Sequence, residues 1–264
     1  MTATTQVDLD RQNAAFWSEL CGSSLARSLG ITGSEPDALE RFDAHYFGLY
    51  PYLRGYVDRF DVAGREVLEI GLGYGSLGQY IAERGAVYHG LDIAPAPVEM
   101  MRHRLRMRGL GDPEHVRQGS ALASPWPDAA FDFVYSIGCL HHTGDLPRAI
   151  GEVRRVLRPN GLAVVMVYNA HSARRLWAEA RSRSAAAIRG AYDTNAEGAP
   201  APHTDFASRR DARRLFSAFS DVRVEGQNFD DVSFRGRLLL RRDRALRTPL
   251  PRLLGLDLYV VARA

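Results

Sequence analysis

Between residues 66 and 168 short apolar runs alternate with helical ones, and the first junction reads LEIGLGYGSLG, residues 68–78. Repeated strand–helix units of this kind close as a parallel sheet with helices on both faces. Val67, Leu68 and Ile70 make a short first strand. Leu77, Tyr80 and Ile81 give the next helix its apolar face, and Gly85 ends it in a C-cap role. AVYHGLDI reads as a second strand, VEMMRHRLRMRGL as a second helix, and EHVRQGSA and AFDFVYSIG as two further strands. DLPRAIGEVRRVL is amphipathic, with Leu146, Ile150, Val153 and Leu157 on one side. RPNG is a turn and LAVVMVYN a buried strand.

The flanks differ. Residues 1–62 are helical and aromatic-rich and form an N-terminal helical cap on a second unit, residues 63–264. Pro36 suits the first turn of a helix in which Leu39, Phe42, Tyr46 and Tyr50 recur at helical spacing; Pro51 stops it, because the residue before a proline is pushed out of the α region. PYLRGYVDRF follows as a short helix. Beyond 170 the rhythm loosens: residues 171–192 are helix-like, NAEGAPAPHTDF is a loop, and Ser208 and Asp211 spell a capping box. DVRVEGQNF and LDLYVVARA are two last strands. The arginine-rich segment between them is long for a hairpin loop. Two substrate-region insertions are therefore expected, at about 171–206 and 230–252.

Composition narrows the function classes. A chain of 264 residues suits one large domain or one domain with insertions. Net charge is +3, and all 34 basic residues are arginine, which excludes a lysine base or Schiff base. Cys21 and Cys139 form neither a metal spacing nor a disulfide framework, and no metal is expected. MTATTQVDLD lacks the layout of a signal peptide, and LAVVMV is too short to span a bilayer, so a cytoplasmic protein with no membrane partner is expected. Arg102, Arg104, Arg106 and Arg108 step by two around a helix and read as a solvated face, not a nucleic-acid stripe. The arginines of 235–252 suit an anionic acceptor or a homo-oligomer contact.

Two patterns overlap in the glycine loop. Gly71, Gly73 and Gly75 spell G-x-G-x-G; Gly73, Gly75 and Gly78 spell the dinucleotide fingerprint G-x-G-x-x-G. Both let a backbone pass close to a ligand at a helix N-terminus. Glu69, inside the strand, suits the ammonium end of an amino-acid-like ligand and would repel a pyrophosphate. Asp92, about 20 residues on, suits ribose hydroxyls. Glu69, Asp92, Ser120 and Ser136 all map to the carboxyl ends of strands, where such sheets bind ligands. Gly78 falls inside the helix, where its expected role is close helix–sheet approach.

VLEIGLGYG, GLDI, GSALASPWPDAAFDFVYS and RVLRPNGLAVV resemble the successive motifs of class I S-adenosylmethionine-dependent methyltransferases. The resemblance covers residues 64–170, and its flavour is the small-molecule branch, similar to ubiquinone/menaquinone and sterol methyltransferases and natural-product tailoring enzymes. It implies a Rossmann-like α/β fold: a seven-stranded, mostly parallel sheet with helices on both faces and an antiparallel last strand. It also implies S-adenosylmethionine as cofactor, S-adenosylhomocysteine as product and a small-molecule acceptor, with secondary-metabolite tailoring as the expected role. Carried over by position, Glu69, Gly71, Gly73 and Gly75 would cradle the methionine part and ribose, and Asp92 would hold the ribose hydroxyls. Ile93 would pack on adenine, with Ser120 and Ala121 beside its amino edge. Many relatives have Asp at the Ser120 position, and Asn160 replaces a frequent glycine, which the left-handed tolerance of Asn makes mild.

Methyl transfer needs alignment and, for a protonated nucleophile, a base. SIGCLHHTGD follows the fourth strand, which makes His141 and His142 the candidate bases; being adjacent, they do not both point into one site. Tyr46 and Tyr50 of the cap, and His203 of the first insertion, are the candidate acceptor-lining residues. Ser136-Ile137-Gly138-Cys139 stands where many amino-directed nucleic-acid methyltransferases carry Asn/Asp-Pro-Pro-aromatic, which disfavours that subclass. A non-catalytic cofactor-binding partner subunit is the remaining alternative.

Overall fold

The computed structural model describes residues 5–20, 23–182, 184–234 and 237–264; Cys21 lies outside them. Among the described residues nine strands occur in chain order: β1 Glu66–Ile70, β2 Val87–Asp92, β3 Val116–Gln118, β4 Phe131–Ile137, β5 Leu157–Tyr168, β6 Ser220–Gln227, β7 Val232–Phe234, β8 Arg237–Leu240 and β9 Asp257–Arg263. Helices α1 Gln6–Leu20, α2 Ser23–Ser28, α3 Pro36–Leu49 and α4 Gly55–Asp58 precede the sheet. Next come α5 Ser76–Ala82, α6 Pro95–Arg108, α7 Leu146–Val156, α8 Ala173–Arg181, α9 Ala185–Gly190, α10 Arg209–Leu215, α11 Arg242–Ala245 and α12 Leu250–Leu254.

Seven strands form one sheet in the order β3-β2-β1-β4-β5-β9-β6. All neighbours are parallel except β9, which runs antiparallel to both β5 and β6. This is the expected doubly wound sheet with its last strand reversed. The reversal brings Asp257, the first residue of β9, beside Tyr168, the last of β5, so both lie at the carboxyl edge of the parallel strands.

Alternation along the strands builds two cores. Leu68, Ile70, Val165, Val167 and Val260 face α7 and α10, with Leu146, Ile150 and Val153 of α7, Ala212 of α10 and Phe216 just past it buried against them. Val67, Val164, Met166 and Tyr259 face the other way, onto Leu77, Ile81, Met101 and Leu105 of α5 and α6 and Tyr56 of α4. Each fully buried Leu, Val or Ile stabilises by about 1.5–3 kcal/mol, so this two-sided burial is what keeps the sheet between its helices. Local signals set the helix ends. Pro36 opens α3, Asp145 accepts the Arg148 N–H ahead of α7, and Ser208 and Asp211 form the capping box of α10.

Three sequence readings are corrected. RPNG does not break the chain into a separate turn: β5 runs through it, with a register irregularity against β4 and Asn160 in the left-handed region (φ 67°), where its N–H donates to the Ala264 carbonyl. The 230–252 segment is not a bare loop but holds the β7–β8 hairpin and α11. Arg104 belongs to no solvated face: it is 0 % exposed, donating to both Asp43 carboxylate oxygens at 2.8 and 2.9 Å and to Gln79 Oε1. A periodicity count cannot see a carboxylate that arrives from another helix.

Candidate functional site

At the carboxyl edge of β1, β2 and β4 lies a cavity of about 300 Å³, closed on its far side by α1 and α3. The loop after β1 forms its floor. Gly71, Gly73 and Gly75 all take left-handed backbone (φ +86°, +52° and +81°), which a side chain would oppose. Their surroundings differ. A Cβ on Gly71 would lie 2.3 Å from that of Cys139, and one on Gly75 would lie 2.7 Å from Arg104 Cδ, whereas one on Gly73 would meet nothing within 4 Å. Gly71 and Gly73 line the cavity; Gly75 does not, and instead caps α5 beneath Arg104. At Gly78 a Cβ would sit 2.4 Å from the Tyr88 hydroxyl and 2.5 Å from Glu69 Oε2, so this glycine lets α5 lie over that pair.

Two carboxylates flank the loop. Asp92 is 8 % exposed and takes two backbone amides, Leu72 N–H at 2.8 Å and Ala94 N–H at 2.9 Å. Burial pushes its pKa up to about 6, against the pull of these amides. Glu69 lies under the cavity and accepts the Tyr88 hydroxyl. Burial pushes it up to about 8, with Asp92 adding in the same direction. The Asp92 carboxylate disfavours a pyrophosphate, and the two acids together suit a ligand carrying positive charge and hydroxyl donors. S-adenosylmethionine, with its ammonium, sulfonium and ribose hydroxyls, fits that donor set. Ile93, Ser120 and Ala121 line the same end of the cavity. Ser136 does not: it is wholly buried and donates to the Ile70 carbonyl, tying β4 to β1.

The other end of the cavity is aromatic. Tyr46 of α3 and Tyr50, just past its end, line it with Phe42, Trp17 and Leu25. Burial raises the pKa of both tyrosines, so their hydroxyls stay protonated. Of the two histidines, only His142 reaches the cavity. His141 is 0 % exposed, wedged between His142 and Tyr168 with ring centroids 4.2 Å from each, and burial pushes its pKa well below the usual histidine value. His203 does not line the cavity either. Its ring sits 3.0 Å from Asp205 Oδ1, and its main-chain carbonyl is what meets the site, 2.7 Å from His142 Nδ1.

Sequence reasoning missed Asn13 and Trp17 of α1. Both line the cavity; Asn13 donates to the His142 carbonyl at 2.8 Å, and the Trp17 ring lies 4.6 Å from that of His142. They stand four residues apart, about one helical turn, and that spacing in NAAFW was the available signal. Asp193, 3.8 Å from His142 Nε2, was also missed; nothing local marks it. Cys139 lines the cavity, but burial raises its thiol pKa, which leaves it a neutral packing group.

A family model described as a methyltransferase domain matches residues 68–165. The chain is 36% identical to a fatty-acid O-methyltransferase of Mycolicibacterium smegmatis over 135 residues, 50% of this chain and 46% of that one. It is also 36% identical to a demethylmenaquinone methyltransferase of Thermus thermophilus over 110 residues, 40% of this chain and 48% of that one. The matches span less than half the length of these curated relatives. Among solved structures it is similar to a SAM-dependent methyltransferase of Thermotoga maritima, described as a possible histamine N-methyltransferase. The TM-score is 0.54 at 18% identity, covering 85% of this chain and 97% of that one. At that identity the likeness is one of fold.

Proposed function

We propose that the chain, whose residues 68–165 match a methyltransferase domain, is a class I S-adenosylmethionine-dependent methyltransferase of the small-molecule branch, and that it methylates a hydroxyl group on a largely apolar small molecule, in secondary-metabolite or lipid tailoring. The observation that carries this reading is one continuous cavity. It holds Glu69 and Asp92 at one end, and His142 among Tyr46, Tyr50, Trp17 and Phe42 at the other. An acidic end suits the cationic cofactor. An aromatic end suits an apolar acceptor body, and a single imidazole there suits a group that must lose a proton. The O-methyltransferase named among the relatives points the same way.

Glu69, Gly71, Gly73, Asp92, Ile93, Ser120 and Ala121 would hold S-adenosylmethionine, which when bound supplies an electrophilic methyl group on a sulfonium. The remaining work falls to this chain's side chains. Asp92 keeps the loop amides in place, so the cradle is preorganised. Trp17, Phe42, Tyr46 and Tyr50 exclude water and orient the acceptor. His142 donates from Nδ1 to the His203 carbonyl, which can only accept. Its neutral ring therefore keeps the Nε2 lone pair for the acceptor's proton.

Calorimetry with S-adenosylmethionine, S-adenosylhomocysteine and NAD, followed by transfer of labelled methyl to a panel of long-chain and aromatic alcohols, phenols and amines, tests the reading. Binding of the two adenosyl ligands and transfer to the hydroxyl panel are expected. Tight NAD binding alone, transfer confined to amines, or turnover that requires added RNA or DNA would overturn it.

A further inference from the structure

His142 is held from four directions, and one of its contacts has no packing role. From α1, Asn13 holds its carbonyl and Trp17 covers its ring. From the segment after α9 come the His203 carbonyl at 2.7 Å and the Thr204 hydroxyl at 3.3 Å, both on Nδ1. From β5 the Tyr168 ring stands edge-on at 5.9 Å, and from its own turn the His141 ring lies tilted at 4.2 Å. The remaining contact, from the same segment after α9, is Asp193. Its Oδ2 lies 3.8 Å from Nε2, too far for a hydrogen bond and close enough for an ion pair. Nε2 is buried and makes no hydrogen bond.

Asp193 is itself anchored. The Tyr168 hydroxyl donates to its two oxygens at 3.0 and 3.3 Å, and its side chain is 19 % exposed. The charged groups acting on His142 are few: Asp193 and Asp205 favour its protonated form and the His203 ring opposes it, while burial disfavours the charge most. A carboxylate held beside a nitrogen it does not bond stabilises little while the ring is neutral. It acts when the ring becomes a cation.

We propose that Asp193 is a positioning residue for His142, the fixed counter-charge that lets this buried imidazole take the acceptor's proton. The proposal rests on the functional reading above and deepens it. The proton passes from the acceptor hydroxyl to Nε2. The oxygen lone pair forms the new bond to the methyl carbon, and the pair of the broken carbon–sulfur bond stays on sulfur. His142 is then cationic beside an anionic Asp193, so no isolated charge is left in the cavity wall. The segment after α9 thus serves the site through Asp193 and the His203 carbonyl, and not through the His203 ring. It is tied to α1 by the Ala196 N–H donating to Glu19 at 2.8 Å, so Asp193 and Trp17 approach His142 from elements held to each other.

The test compares the full-length wild type with Asp193→Asn, with S-adenosylhomocysteine bound. The His142 ring is titrated by NMR on histidine-labelled protein and assigned by its loss in His142→Gln. The expected result is a His142 midpoint about one pH unit or more lower in Asp193→Asn, with S-adenosylhomocysteine affinity unchanged within about twofold. Where wild type methylates a hydroxyl of the panel, kcat should fall about tenfold or more in Asp193→Asn while KM stays put. If Asp193→Asn does not fold, Tyr168→Phe replaces it; it keeps the carboxylate, frees it from its anchor, and should move the midpoint the same way by less. An unmoved midpoint in the folded variant overturns the proposal and leaves the functional reading standing. Absence of S-adenosylhomocysteine binding by the wild type defeats that reading instead.

Discussion

Asp92 closes β2 and reaches back to the loop after β1, where its carboxylate accepts the Leu72 amide at 2.8 Å. A residue expected to meet a ribose therefore also builds the loop that meets the rest of the ligand. Asp92→Ala leaves two buried N–H groups unpaired, at about 1–3 kcal/mol each at most. Urea denaturation of the ligand-free protein should show a loss of about that size, alongside weaker S-adenosylhomocysteine binding by calorimetry. Lost binding at unchanged stability would confine Asp92 to ligand contact.

Glu69 should make ligand binding proton-linked. Buried, with a pKa near 8, it is largely protonated at pH 7 in the free protein. An ammonium placed against it favours the carboxylate, so S-adenosylmethionine binding at pH 7 should release up to about one proton. Calorimetry in buffers of different ionisation enthalpy reads this directly, and Glu69→Gln should abolish the release.

The same carboxyl predicts a pH slope in stability. Its folded pKa, about 8, exceeds its model-peptide value of 4.5. The folded state therefore binds the proton more tightly, and the contribution present at low pH is lost as pH rises towards 8. Glu69→Gln removes that loss. Relative to wild type, the variant's Tm should climb between pH 5 and pH 9 in the ligand-free protein; a constant difference would place Glu69 in a solvated setting.

Arg104 and Asp43 bind α6 to α3, and Asp43 also takes the Ser76 hydroxyl at the start of α5. Arg104→Ala strips the partly buried Asp43 carboxylate of its partner and empties a fully buried site, and a loss of about 3–5 kcal/mol at most is expected in thermal or urea unfolding. Because α3 carries Tyr46 and ends at Tyr50, acceptor affinity should fall with it.

The two histidines should separate cleanly. His141→Phe keeps an aromatic ring against Tyr168 and should leave turnover near wild type. His142→Phe should retain S-adenosylhomocysteine binding and lose roughly 100-fold or more in kcat, the scale of general-base catalysis. Equal rates for both variants would remove the base from the mechanism.

Much of this was legible beforehand for local reasons. Strand and helix periods follow from backbone geometry, so β1 to β4 and β9 fall where the apolar runs put them, while β5 starts earlier, at Leu157. Left-handed turns need glycine, so Gly71, Gly73 and Gly75 announced the loop. Gly75 nonetheless sits off the cavity, because spacing shows that a glycine is required and not which atom it makes room for. Ser136 shares the carboxyl edge with Glu69 but is spent on the Ile70 carbonyl. The β7–β8 hairpin hid in an arginine-rich run whose strands carry exposed leucines, Leu238 and Leu239, and so lack a buried alternating face.

The sequence by itself determined the doubly wound sheet and the acidic glycine loop at its carboxyl edge, since these follow from short-range sterics and residue period; the reversed last strand was implied only by the resemblance to class I methyltransferases. Only the tertiary structure decided which of two adjacent histidines turns inward, why Arg104 is buried, and that Asp193, fifty-one positions from His142, arrives at 3.8 Å from its ring. Those outcomes depend on contacts between distant segments, where a shift of one residue exchanges an inward side chain for an outward one.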